Sequence, residues 1–145
     1  MYRVLLDTNV IVAALRSPHG SAAALLRQLA DDRFEIVTSV ALHLEYEEQL
    51  SRLVEQRIST AEQAEAVMDF ISLVAILTDI RFRLRPALSD PDDEFALELA
   101  FAAGVEYIVT HNRRDFGGSK DFGVKVISPR ELVLCWSMNH EHRAD

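Results

Sequence analysis

Asp7 stands in the stretch Leu5-Leu6-Asp7-Thr8-Asn9-Val10-Ile11-Val12, where an acid and two small polar residues interrupt a run apolar enough to be buried on all sides. Taken alone it reads as a helix cap, with Asp7 or Asn9 accepting from the free amides of the turn that follows. A second acid, Glu45, lies in "SVALHLEYEEQLSRL", where Leu42, Tyr46, Leu50 and Leu53 form an apolar stripe. At ~100° per residue Glu45 falls about 100° from the centre of that stripe, and Glu47 flanks it about equally on the other side. Periodicity leaves the choice between them open. In "SDPDDEFALELA" Asp90 caps a helix, Pro91 fills its first turn, and acids suit the positive end of the helix dipole. Asp93, however, is in register with Ala96, Leu97, Ala100 and Ala103, on the face that must pack against a sheet. A carboxylate desolvated there costs several kcal/mol unless it is paired or bound to a cation. Finally, "VTHNRRDF" offers oxygens from Thr110, Asn112 and Asp115, with Arg113 and Arg114 beside them. Gathered at one place, these carboxylates would repel one another unless a hard divalent cation neutralised them. Mg2+ or Mn2+ is the natural solution, and such an ion polarises both a bound water and a phosphate oxygen. The chemistry suggested is phosphodiester hydrolysis.

The elements that must position these groups follow from pattern. Short apolar or β-branched runs predict strands at residues 2–6, 34–38, 106–110 and 124–127, and helical runs are predicted at 9–16, 21–30, 39–55, 59–73, from a start within 89–93 to 103, and at 129–137. Residues 74–88 read as irregular, with a short extended piece. Strands alternating with helices imply crossovers and a mainly parallel sheet covered on both faces, and no linker or repeat divides residues 1–145, so one domain is expected. In open sheets of this kind ligands sit beyond the carboxyl ends of the strands, near the point where strand order reverses. Asp7, Thr110 and Asn112 fall at strand ends, and Glu45, Asp93 and Asp115 on adjoining helices or loops. All can converge on one rim.

Composition narrows the field further. With 145 residues, 49% hydrophobic and 26% charged, the chain is an ordinary globular sequence with no membrane span, and its only cysteine, Cys135, excludes an internal disulfide. A cytoplasmic location is expected. A formal charge of -8 counts against a simple electrostatic nucleic-acid binder, and the Arg81, Arg83 and Arg85 of "RFRLR" read as a solvated face. Gly117-Gly118 heads no phosphate-binding loop, His140 and His142 lie at a terminus without cysteine partners, and His43 and His111 lack a serine or cysteine setting for nucleophilic catalysis. Cys135 sits among apolar residues of the last helix and reads as packing.

On "LLDTNVIV", "LEYEEQL", "DPDDEFALELA" and "YIVTHNRRDF", in this order and over nearly the whole chain, the sequence resembles the PIN-domain family, and most closely its VapC-type toxin-like ribonucleases. The resemblance implies a Rossmann-like three-layer α/β/α fold and a metal-dependent endoribonuclease, the toxin of a toxin–antitoxin pair. It implies catalytic and metal-binding roles for Asp7, Glu45, Asp93 and Asp115, with Thr8, Asn9, Thr110 and Asn112 in support and Arg113 or Arg114 on the RNA phosphate. An antitoxin partner and a homodimer are implied as well. One common family pattern has a second aspartate where Asn112 stands, so a single tightly held Mg2+ or Mn2+ is expected, with a second recruited by the substrate phosphate. Asp7→Asn or Asp93→Asn is then expected to abolish turnover and, by relieving repulsion, to raise thermal stability without metal. The alternatives are a magnesium-dependent acid-cluster phosphohydrolase or receiver-like domain, and a non-catalytic module of the same fold. A receiver wants an acidic pair after its first strand, where Asp7-Thr8-Asn9 offers one acid, and Lys120 and Lys125 fit the place of its lysine poorly.

Overall fold

The computed structural model describes residues 2–30, 34–78, 100, 103–112 and 123–135. Strand β1 (Tyr2–Leu6) buries Val4, Leu5 and Leu6 completely. Such an unbroken apolar run is what a parallel strand needs when helices cover both its faces. Helix α1 (Thr8–Arg16) follows at once and turns Val10, Ile11 and Ala14 into the core. Helix α2 (Ser21–Gln28) packs on α1, and β2 (Phe34–Thr38) returns alongside β1.

Helix α3 (Val40–Glu55) begins at Ser39, whose hydroxyl accepts from the Leu42 amide at 3.1 Å. Its buried residues are Leu42, Tyr46, Leu50 and Leu53, the stripe read from sequence. Helix α4 (Ala61–Val74) opens with a reciprocal cap, in which Thr60 accepts from the Gln63 amide and Gln63 accepts from the Thr60 amide. It runs directly into β3 (Ala75–Leu77), the short extended piece expected within 74–88. Ala100 is helical, Gly104 adopts φ 65°, and the Val105 amide reaches back to the Ala100 carbonyl at 2.9 Å, which is the Schellman closure that a glycine permits. Strands β4 (Tyr107–Val109) and β5 (Lys125–Ile127) follow, and residues 129–135 are helical, with Pro129 in the first turn and Ser128 accepting from the Glu131 amide.

The sheet is five-stranded in the order β3-β2-β1-β4-β5, and every neighbouring pair is parallel. The expected three-layer α/β/α arrangement is present, with a sheet parallel throughout rather than mainly so. The chain begins in the middle, steps outward through β2 to β3, then crosses to β4 and β5 on the other side. Strand order therefore reverses between β1 and β4, and Leu6 is paired with Val109 at the carboxyl ends of these two strands. Among the described residues no helix is long and apolar enough to cross a membrane.

Candidate functional site

Asp7 and Thr110 occupy the positions immediately after that last pair. The Asp7 amide donates to the Val109 carbonyl and the Thr110 amide to Ile127, both at 2.9 Å, so the two side chains leave adjacent strands at the same height. Among the described residues, Asp7 Oδ1 accepts from the Thr8 amide at 2.8 Å, and Oδ2 from the Thr110 hydroxyl at 2.7 Å. The helix-cap reading is thus borne out, and the same carboxylate that starts α1 lies at the switch point.

Thr110 is fully buried and uses all of its hydrogen-bonding capacity. While it donates to Asp7, its oxygen accepts from Asn9 Nδ2 at 3.1 Å and from the Asn112 amide at 3.0 Å. Asn9 in turn accepts from the His111 amide at 3.2 Å. Asn9 and Thr110, distant in sequence, thereby lock the loop after β4 onto the start of α1. Thr8 is buried, and its hydroxyl has no hydrogen-bond partner. Asn112 contributes its backbone here, and its residue is exposed.

Glu45 lies on α3, next in the chain to Tyr46. Tyr46 is fully buried, and its hydroxyl donates to the Leu6 carbonyl one residue before Asp7. Burial pushes the Tyr46 phenol well above the ordinary tyrosine range, and the negative charges of Asp7 and then Glu45 push it further. Both carboxylates are therefore felt at one buried hydroxyl. Glu47, which periodicity could not separate from Glu45, points the other way and pairs with His43 at 3.7 Å. Tyr46 was legible in sequence only as a core residue; its signal was a polar tip on an apolar stripe beside an acid, since a buried phenol needs an acceptor.

Asp93, Asp115, Arg113 and Arg114 lie outside the described residues. Among those described, no three His, Cys, Asp or Glu side chains gather closely enough to hold a metal ion. The Asp7 carboxylate, with its hydroxyl and amide neighbours, offers hard oxygens of the kind that suits Mg2+ or Mn2+ and not a thiolate-seeking metal. His43 does have a serine neighbour, contrary to the sequence reading: its Nε2 lies 3.5 Å from Ser72 Oγ on α4. The same nitrogen faces Glu47, and among the described residues no acid pairs with the opposite ring nitrogen as a hydrolytic triad would require.

Ionisation of Tyr46 makes a test of this geometry. An unfolded tyrosine titrates near 10, whereas the folded phenol holds its proton to higher pH. Between those values the unfolded state binds fewer protons, so the contribution to stability is complete below pH ~10 and then declines by about 1.4 kcal/mol per pH unit until the folded group titrates. Tyr46→Phe should flatten this alkaline loss in urea unfolding between pH 10 and 11. At pH 7 the variant should cost about 1 kcal/mol, because the Leu6 carbonyl loses its donor. An unchanged alkaline slope would contradict the burial of the Tyr46 phenol.

Known proteins share this architecture. The VapBC2 complex of Rickettsia felis, bound to a DNA fragment from its promoter, contains a chain matched with TM-score 0.57 and 17% identity over 87% of this chain and 98% of that one. VapBC-1 from nontypeable Haemophilus influenzae gives TM-score 0.60 and 13% identity over 88% and 98%. At these identities the likeness is one of fold. Among curated proteins no relative matches the sequence. The model of the family described as PIN domain matches residues 3–114, a span that starts in β1, runs past Asp7 and Glu45, and ends beyond Thr110. That match covers well over half of the sequence and includes the whole of the described acid edge, and by it the chain belongs to the PIN-domain family.

Proposed function

We propose that the protein is a metal-dependent endoribonuclease, the toxin of a toxin–antitoxin pair, acting in the cytoplasm at the carboxyl edge of β1 and β4. The observation that carries this reading is the Asp7 carboxylate at the strand-order switch point, held there by the Thr8 amide and the Thr110 hydroxyl. Family membership supports it, since PIN domains are typically nucleases that use divalent metals, and the two similar folds come from VapBC complexes. The same complexes support an antitoxin partner, and a homodimer is the expected assembly.

In this reading Asp7 and Glu45, joined by Asp93 and Asp115, hold Mg2+ or Mn2+. When bound, the ion supplies a water acidic enough to be a nucleophile near neutral pH and a counter-charge for the phosphate. Asp7 stays oriented because both its oxygens are held, and Tyr46 stays neutral beneath the acids. Arg113 or Arg114 offsets charge that builds on the phosphate oxygens. Water adds to phosphorus and the bond to the 3′ oxygen breaks, leaving a 5′ phosphate and a 3′ hydroxyl.

The test is total RNA incubated with the purified protein in Mg2+, in Mn2+ and in EDTA, with 5′ ends mapped by a ligation that requires a 5′ phosphate. Cleavage with either ion, none in EDTA, and ligatable ends are expected. Cutting that persists in EDTA, or ends that cannot be ligated, would overturn the proposal.

A further inference from the structure

We propose that Tyr46 is a positioning residue for a divalent cation: its hydroxyl, on the Leu6 carbonyl, sets α3 in one place against the carboxyl end of β1, and so fixes the backbone that carries Glu45 relative to Asp7. This deepens the nuclease reading and rests on its metal site.

The peptide group between Leu6 and Asp7 is held from both sides. Its N–H donates to the Val109 carbonyl of β4 at 2.9 Å, and its C=O accepts from the Tyr46 hydroxyl of α3. The register of β1 with β2 runs from Tyr2–Phe34 to Val4–Ile36, so Leu6 lies beyond it. Leu6 and Tyr46 are both fully buried, and a carbonyl there that lost its donor could not turn to water. Asp7 itself is held through its carbonyl by the Val10 amide at 2.9 Å and through its carboxylate by Thr8 and Thr110. Among these bonds, the one from Tyr46 alone brings in α3.

The rest of α3 gives it less direction. Leu42, Leu50 and Leu53 hold the helix to the core by burial, which is proportional to area and indifferent to angle, so small slides and rolls are tolerated. A hydroxyl–carbonyl bond survives displacements of only roughly a few tenths of an ångström. Glu45 precedes Tyr46 in the chain, about 1.5 Å along the helix axis and about 100° around it. Asp7 directly follows Leu6. One bond thus joins the immediate chain neighbours of both acids. Mg2+ demands near-ideal placement of its oxygens, and groups that orient ligands from behind change metal affinity by about 10–100-fold. Acting through the backbone, Tyr46 should be worth about tenfold, the lower end of that range.

The test is Mn2+ binding to the full chain at pH 7, read from the electron paramagnetic resonance of the free ion. Tyr46→Phe keeps the ring and removes the hydroxyl, and should weaken binding about tenfold. The control is Leu53→Ala, on the same buried stripe and about 10 Å further along the helix. It removes packing and no bond to β1, so it should lower the urea midpoint more than Tyr46→Phe does, yet leave Mn2+ affinity within twofold of the parent. A merely structural role for Tyr46 would instead rank the two variants by stability. Tyr46→Phe within twofold of the parent, or Leu53→Ala weakened as much as Tyr46→Phe, would overturn the inference and leave the nuclease reading standing. A parent chain that binds no Mn2+ would overturn both.

Discussion

Replacing Asp7 by Asn is expected to lower RNA cleavage by about a thousandfold or more and, contrary to what the sequence implied, to destabilise the metal-free protein. On the proposed reading, the loss of activity follows from removing a charge that would both hold the ion and set its position. Stability is decided by hydrogen-bond bookkeeping. Asp7 receives two donors, the Thr8 amide and the Thr110 hydroxyl, one on each oxygen. An asparagine amide has one accepting oxygen and sets an NH2 group where the other was. If that NH2 faces Thr110, it meets an oxygen that already accepts from Asn9 and Asn112. Losing one charge-assisted bond and creating a donor conflict costs about 1.5–3 kcal/mol. Relief of repulsion from Glu45 acts across a partly hydrated rim, where charges interact weakly, and offsets only part of this. A melting temperature about 3–6 °C below the parent in EDTA is expected by calorimetry. A rise in melting temperature would show that repulsion outweighs the hydrogen bonds, and parental cleavage in saturating Mg2+ would remove Asp7 from the site.

Thr110→Val should be the most costly isosteric change in the described structure. It removes no volume and three hydrogen bonds at once. Asn9 and the amide of Asn112 lie at the rim, where water can replace the threonine oxygen. Asp7 Oδ2 loses its donor at a fully buried neighbour, so the expected cost is about 2–3 kcal/mol. Cleavage should fall by about 10–100-fold, because the carboxylate is no longer held in one orientation. Thr110→Ser keeps the hydroxyl and loses a buried methyl, costing about 1 kcal/mol while cleavage stays within a few fold of the parent. The pair separates orientation from packing: urea midpoints report the second, and cleavage rates the first. Serine and valine variants equally impaired in cleavage would mean that the hydroxyl does not position Asp7.

The elements legible in sequence were those with several turns or a two-faced apolar demand. Helix α3, 16 residues long, repeats its stripe often enough to fix the buried face, and β1 could be little else than a strand buried on both sides. Strand β3 was legible only as a short extended piece somewhere within 74–88, because three residues at the sheet edge, with Leu77 60% exposed, carry almost no pattern. Glu45 and Glu47 were equivalent by angle, and what distinguishes them is the neighbour on each side of α3, which is a property of topology. Thr110 was legible as an oxygen at a strand end. That its hydroxyl is spent on Asp7 depends on β4 lying beside β1, and strand order is not written in any local stretch.

The bond from Thr110 to Asp7 closes a loop of 103 residues. Contacts so remote in sequence form late, since the entropy of closing the loop is lost before they can offset it. During synthesis the first three strands and four helices can assemble while the segment bearing Thr110 is still inside the ribosome. A half-translated chain therefore carries Asp7 without its clamp, and the carboxyl edge gains its fixed geometry only after the segment bearing Thr110 has emerged.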